Sequence, residues 1–196
     1  MLYLASQSPR RKTLLETLRI PFKVLAPPVG LDMEQLEAAR PKENPVRYVR
    51  RVTLAKLKVA QSQLGENDFA LVADTTVTID GLILGKPLTT KNNIEVLRRL
   101  SGKTHRVLTA VALASVSQST QILTVARVRF APLSEPQIQR YVNTGEGLDK
   151  AGGYAIQGGA APFVVRIIGD YSGIVGLPLH ATATLLAQLN IHPLDL

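Results

Sequence analysis

The sequence predicts an α/β protein: a mixed β-sheet with flanking helices, forming a single domain over residues 1–196, or two small lobes sharing one core. Three observations carry this expectation. Short apolar runs of strand length alternate with segments whose apolar residues recur at three- and four-residue steps. The alternation lacks the regularity of repeated βαβ units, so parallel and antiparallel pairs should coexist. Finally, 196 residues with 45% hydrophobic and 19% charged side chains suffice for a sizeable core.

The first run, Leu2-Tyr3-Leu4-Ala5, is short and apolar enough for a buried strand. Ser6-Gln7-Ser8 leads into a helix: the Ser8 hydroxyl can cap an orphan N–H, Pro9 suits the first helical position, and Leu14, Leu15 and Leu18 share a face. Arg10, Arg11 and Lys12 crowd its first turn, where the helix dipole already places positive charge. Each cation there costs about 0.3–1 kcal/mol unless an anion is near. Either a phosphate-like group binds here, or the long side chains simply reach into water. Pro21 to Leu25 reads as a second strand. Ala26 to Pro45, rich in proline, reads as a long loop with one helical turn through Met33 to Ala39. Loops of this length in a compact domain are often functional.

Asn44-Pro45 opens a second helix, with Val46, Val49, Thr53, Leu57, Ala60 and Leu64 inward and Gly65 as its stop. Lys56 falls beside that face, so it either leans over the core edge or snorkels to solvent. Phe69 to Ala73 is a continuous apolar run, the pattern of a strand buried on both faces. Asp74 and Thr75 end it; Thr76 to Ile79 continue as β-branched strand, and Asp80-Gly81 turns a hairpin back through Leu82 to Leu84. That return delivers Lys86. An acid ending a buried strand and a lysine ending its partner can face one cleft; the other reading of Asp74 is a bulge or turn residue.

Thr89 to Leu100 is a third helix, with Ile94, Leu97 and Leu100 inward. Two long strands follow, Arg106 to Val116 and Gln121 to Ala131, and Ser134 with Gln137 forms a capping box for a helix through Tyr141 and Val142. Gly145 to Pro162 is a glycine-rich loop, Phe163 to Ile168 a strand, Asp170 to Pro178 a tight loop, and Leu179 to Leu189 the closing helix.

Composition narrows the chemistry. With no cysteine, thiolate catalysis, disulfides and cysteine zinc sites are excluded. His105, His180 and His192 lie too far apart to form a ligand pattern. No apolar run approaches the roughly 18–20 residues of a membrane span, and Arg10 to Lys12 interrupt any signal-peptide pattern. A soluble cytoplasmic protein is expected, with no membrane partner. The net charge of +8 points to anionic partners. Only 5% aromatic residues and no tryptophan leave few platforms for stacking bases, so nucleic acid is not the expected partner. The two basic clusters, Arg10 to Lys12 and Arg40 to Lys58, suit a small polyanion at least as well.

Five segments in order, Leu4 to Arg11, Ala73-Asp74-Thr75, Gly85-Lys86-Pro87, Leu148 to Gly158 and Val175 to Leu179, resemble the Maf family of nucleotide pyrophosphatases. The resemblance implies a fold similar to the inosine-triphosphate pyrophosphatases, with two lobes around a cleft and a homodimeric assembly. It implies hydrolysis of nucleoside triphosphates to monophosphate and pyrophosphate with a divalent metal, Mg2+ or Mn2+, and some family members are linked to inhibition of septum formation. Carried over by motif, Asp74 takes the general-base position. A carboxylate is a weak base at neutral pH, and a metal offsets this by acidifying the attacking water. Lys56 and Lys86 would stabilise phosphate charge, and Ser6, Arg10 and Arg11 would hold the triphosphate, arginine by its planar fork.

Arg10, Thr75 and Gln157 resemble the branch acting on dTTP and UTP. The branch acting on 7-methyl-GTP carries an aromatic residue, a glutamine and a glutamate at the corresponding positions. The family's metal-side glutamate follows the second strand, where this loop is longer than usual; Glu34 is the first choice for it, acting with Asp74, and Asp32 the second. Thr53 and Leu57 replace small residues flanking Lys56, and Gly147 replaces a proline, so altered packing is expected there. The leading expectation is a dTTP/UTP pyrophosphatase. The alternatives are a 7-methyl-GTP or inosine-type triphosphate pyrophosphatase, or a non-catalytic basic regulator of cell division.

Overall fold

The computed structural model describes residues 1–192. The chain runs β1 (Leu2–Leu4), α1 (Pro9–Glu16), β2 (Phe22–Val24), α2 (Pro45–Gln61), β3 (Phe69–Ile79), β4 (Leu82–Leu84), α3 (Thr90–Leu100), β5 (Thr104–Ala114), β6 (Ser119–Phe130), α4 (Glu135–Asn143), β7 (Val164–Ile168), α5 (Tyr171–Val175) and α6 (Leu179–Ala187). Single 3₁₀ turns occupy Met33–Glu37, Ala151–Gly153 and Ala161–Phe163. Among the described residues no helix is long and apolar enough to cross a membrane.

The sheet has seven strands in the order β2-β1-β3-β5-β6-β7, with β4 also on β3. It is mixed, as the sequence pattern predicts. β1 lies parallel to β2 and β3, and the remaining pairs are antiparallel. Covering layers on both faces explain the unbroken apolar run that opens β3. On one face Leu71 and Ala73 join Leu4, Leu15, Leu185 and Leu186; on the other Ala70 and Val72 meet Leu57 and Ala60 of α2. A third cluster, around Leu97, Leu100, Phe130, Ile138 and Tyr141, carries α3, α4 and the glycine-rich loop.

One irregularity in the pairing of β3 positions the cleft. β5 pairs with β3 from Ala70 to Thr78 along one edge. On the opposite edge β1 pairs only with Phe69 to Leu71, and β4 only with Val77 to Ile79. Between them residues 72–76 face no strand on that edge.

Several local expectations change. Asp74 neither ends a strand nor bulges: it sits in the interior of β3, in register with Ala110. The strand continues through it because β5 supplies pairing throughout and the carboxylate has its own partner in the Lys56 ammonium. Ser8 starts α1 but makes no side-chain cap; instead Ser6 Oγ accepts the Ser8 N–H at 3.2 Å. α2 ends at Gln61, short of Leu64. β5 and β6 begin earlier than expected, their ladder running from Thr104–Arg129 to Ala114–Ser119. The Asp170–Pro178 loop encloses the short helix α5. The caps by Asn44 and Thr89 and the Ser134–Gln137 box are present. Thr53 and Leu57 are fully buried core residues, and a Cβ at Gly147 would land on the Gly153 carbonyl, which is why glycine stands there.

Candidate active site

A cavity of about 580 Å³ opens at the break in the β3 edge. Its walls come from the β1–α1 turn, the loop after β2, α2, the β3 gap, the turn after β4, the glycine-rich loop and α5. Ser6, Arg10, Arg11, Glu34, Lys56, Asp74, Thr75, Lys86 and Gln157 all line it. Every side chain that the resemblance assigned to the site thus borders one cleft, except Asp32, the second choice for the metal-side carboxylate.

Side chains alternate along β3, which sends Asp74 and Thr75 to opposite faces of the sheet. Asp74 points toward α2. Its Oδ1 accepts a hydrogen bond from Lys56 Nζ at 2.6 Å, and the same ammonium reaches Glu37 Oε1 at 2.7 Å. The other Glu37 oxygen pairs with Lys86 Nζ at 3.1 Å. Lys56 therefore leans over the core edge, and two acids alternate with two lysines in one chain of contacts. Burial would raise the Glu37 carboxyl, but Lys56 and Lys86 together hold it below the ordinary carboxylate value.

Glu37 is the residue that sequence reasoning missed. It closes the 3₁₀ turn Met33–Glu37, whose start is capped by Asp32 accepting the Glu34 N–H at 2.9 Å. Asp32 thereby spends its carboxylate on backbone and does not face the lysines. In a 3₁₀ turn residues three apart eclipse, so Glu34 and Glu37 share a face and both border the cleft. Glu34 is exposed and makes no ion pair among the described residues, whereas Glu37 bridges the lysines. The turn is pinned on α2: Tyr48 Oη donates to the Glu37 carbonyl at 2.8 Å, and Arg51 donates to the Ala38 carbonyl at 2.9 Å while paired with Glu43. The signal available in sequence was Asp32 itself, an acid placed to cap a short turn, which leaves Glu34 and Glu37 as the free carboxylates.

The opposite wall is cationic. Arg11 donates from Nε to the Gly176 carbonyl at 2.8 Å and from Nη1 to Ser6 Oγ at 3.4 Å. That ties α1 to α5 and fixes the guanidinium at the cleft. Partial burial lowers its pKa, opposed by the charge of Asp74. Arg10 is exposed at the rim, and Lys12 turns away to pair with Glu16 at 3.8 Å. The glycine-rich loop brings buried Tyr154 and Ile156 and exposed Gln157 to the far side. It also brings Asp149 and Lys150, unassigned from sequence; Lys150 donates to the Glu146 carbonyl and to Asp149, each at 2.6 Å.

No group of three or more acidic or histidine side chains converges among the described residues. The donor set is instead two carboxylates, Asp74 and Glu37, already converging on one cation, the Lys56 ammonium. Mg2+ is commonly held by one or two carboxylates with substrate phosphates and waters completing its shell. This pair fits a metal that enters with a triphosphate.

The family model described as Maf-like protein matches residues 1–189. A dTTP/UTP pyrophosphatase of Polaromonas sp. is 49% identical over 193 residues, covering 96% of each chain. One of Cupriavidus metallidurans is 47% identical over 196 residues, covering 98% of each. Among solved structures, the Ham1 protein of Staphylococcus aureus overlays at a TM-score of 0.45 and 12% identity, covering 66% of this chain and 71% of its own. With the match running from the first residue to the end of the closing helix, the chain belongs to the Maf family.

Proposed function

We propose that this protein is a nucleoside triphosphate pyrophosphatase that cleaves dTTP and UTP between the α- and β-phosphates, releasing the monophosphate and pyrophosphate. The observation that carries the reading is the Asp74–Lys56–Glu37–Lys86 array facing the Arg10–Arg11 wall across one cleft. Relatives bearing the dTTP/UTP pyrophosphatase name at nearly half identity support it.

In this reading the arginines hold the triphosphate oxygens, Arg11 through a fork whose other side is fixed to Gly176. Asp74, held in the strand interior, takes the proton of the attacking water as the P–O bond between the α- and β-phosphates breaks. Lys56 and Lys86 face charge that builds on the phosphates and the departing pyrophosphate. When substrate arrives, these ammonium groups exchange contacts with Glu37 for contacts with phosphate. A divalent cation, Mg2+ or Mn2+, held by Asp74 and Glu37 would offset phosphate charge and acidify the water. A purely regulatory surface would give no reason for two acids and two lysines to converge at a break in the sheet.

The test is a nucleotide panel with Mg2+ or Mn2+, including dTTP, UTP, 7-methyl-GTP and ITP, with products resolved chromatographically. dTTP should give dTMP and pyrophosphate, and Asp74→Asn should lower kcat by about 100-fold or more. Full activity in Asp74→Asn would remove it as the base. Preference for 7-methyl-GTP or ITP would overturn the pyrimidine assignment, and pyrophosphate release from none of them would overturn the activity.

A further inference from the structure

From Val125 to Phe130, β6 alternates strictly between exposed and buried residues. β5 alternates in the same way from Thr104 to Val107 and is then buried on both faces from Leu108 onward. The change marks where α2 ceases to cover the sheet. Tyr48, Val49 and Val52 of that helix pack with Leu108, Ala110 and Leu123, and beyond them the same face is open. Val107, Val128 and Phe130 point the other way, into the cluster that carries α3 and α4.

The open face carries arginines from three strands. Arg106 of β5 stands opposite Arg127 of β6, and Arg129 of β6 opposite Arg166 of β7, so all of them share one side of the sheet. Each is exposed, and none makes an ion pair or a side-chain hydrogen bond among the described residues; the paired arginines are Arg51 with Glu43 and Arg98 with Glu135, elsewhere. α2 adds exposed Arg47 and Arg50 at the border, where Gln121 of β6 donates to the Arg50 carbonyl at 3.1 Å. Like charges directly opposite on neighbouring strands repel, so this arrangement costs stability unless an anion lies across it. In sequence these arginines are dispersed; strand register gathers them, which is why charge runs along the chain do not reveal the patch.

The chemistry of the patch selects its occupant. Guanidinium groups are planar forks that match phosphate oxygens, and rows of them across three strands suit a repeating phosphate chain better than one small anion. A second copy docked about a two-fold axis would set the patch against itself, arginine on arginine. A lipid surface takes up bulky apolar side chains beside the cations, whereas the apolar side chains exposed on this face are Val125 and Ile168. Scarce aromatic residues disfavour the stacked bases of a single strand, but a duplex keeps its bases paired and offers only its backbone. We propose that the open β5–β6–β7 face is a docking surface for the phosphate backbone of duplex nucleic acid, bound without regard to sequence.

The test is fluorescence anisotropy of a labelled mixed-sequence duplex of about 20 base pairs, titrated with the whole protein over a NaCl series. Log affinity should fall against log salt with a slope of about −3 to −4, the release expected for as many phosphates as the patch has arginines. Arg127→Gln with Arg129→Gln should reduce the slope by about 2 and weaken binding about tenfold or more. Lys91→Gln with Arg140→Gln removes the same charge from exposed positions on α3 and α4 and should keep the original slope. Both double variants should match the unsubstituted protein in dTTP hydrolysis within about twofold, since none of these residues lines the cleft. Equal weakening in the two double variants would make the binding a general effect of net charge and overturn the proposal. So would release of the duplex by a non-hydrolysable dTTP analogue, which would place the binding in the cleft. Tighter binding of the single strand, binding of phosphatidylglycerol vesicles without binding of duplex, or loss of a dimer in the Arg127→Gln, Arg129→Gln protein on sedimentation would overturn it in favour of another occupant.

Discussion

Glu37 shows how narrowly a single carboxylate is chosen. Three acids, Asp32, Glu34 and Glu37, stand close together in one loop, and their order in sequence favours none of them. The choice is made by the 3₁₀ turn, which spends Asp32 as its cap, leaves Glu34 at the exposed rim and sets Glu37 between Lys56 and Lys86. Glu37→Gln should therefore lower kcat by at least about tenfold and shift the Mg2+ titration to higher concentration. Glu34→Gln should stay within about threefold, the scale of an exposed change. Steady-state kinetics across a metal titration separate the two; equal effects would return Glu34 to the inner site. Asp74, Lys56, Lys86, Arg10 and Arg11 were legible as residue types because each sits beside a strand or helix signal. Glu37 was not, because turn geometry decides it.

Elements are joined by polar contacts that sequence periodicity does not report. His105 of β5 and Tyr154 of the glycine-rich loop share a 2.8 Å hydrogen bond, inside an edge-to-face aromatic group with Phe130. This pair docks the loop that carries Gln157 onto the sheet. Burial pushes the His105 imidazole down to about 4 from its ordinary 6.5. The unfolded chain takes up a proton near 6.5 that the folded protein refuses until about pH 4. Stability from this group is complete above pH 6.5, falls by roughly 1 kcal/mol per unit as pH drops toward 4, and falls no further below that. Urea denaturation at pH 7, 5.5 and 4.5 should show a shallower pH slope in His105→Leu than in the wild type. Identical slopes would mean that the imidazole titrates normally in the fold. The helix caps, by contrast, were readable in advance at Asn44 and Ser134, because a cap is a local contract between neighbours in sequence. Ser8 is the exception, its N–H being taken by Ser6 Oγ in the turn that faces the cleft.

At the scale of the molecule, the class of fold followed from alternating periodicities, and the mixture of pair directions from their irregular order. The strand order did not. β1 lies beside β3 although α1, β2 and α2 intervene, a non-local pairing that local patterns leave open. The cleft depends on it, because β1 and β4 each claim one end of the same β3 edge and leave residues 72–76 between them. Phe69 donates to Met1 and Ala5 donates to Leu71, so odd-numbered residues of β3 turn their backbone groups to that edge. Ala73 and Thr75 thus point their amides into the cleft, while Val72, Asp74 and Thr76 bond to β5. In deuterated water the strand should show alternating protection at its centre, with the Ala73 and Thr75 amides exchanging quickly amid slow neighbours. A non-hydrolysable dTTP analogue should slow those two amides. Uniform protection along residues 72–76 in the free protein would show the edge to be closed. With the edge open, the break that makes room for a nucleotide is also a built-in gauge of occupancy, read at two backbone hydrogens in the middle of the sheet.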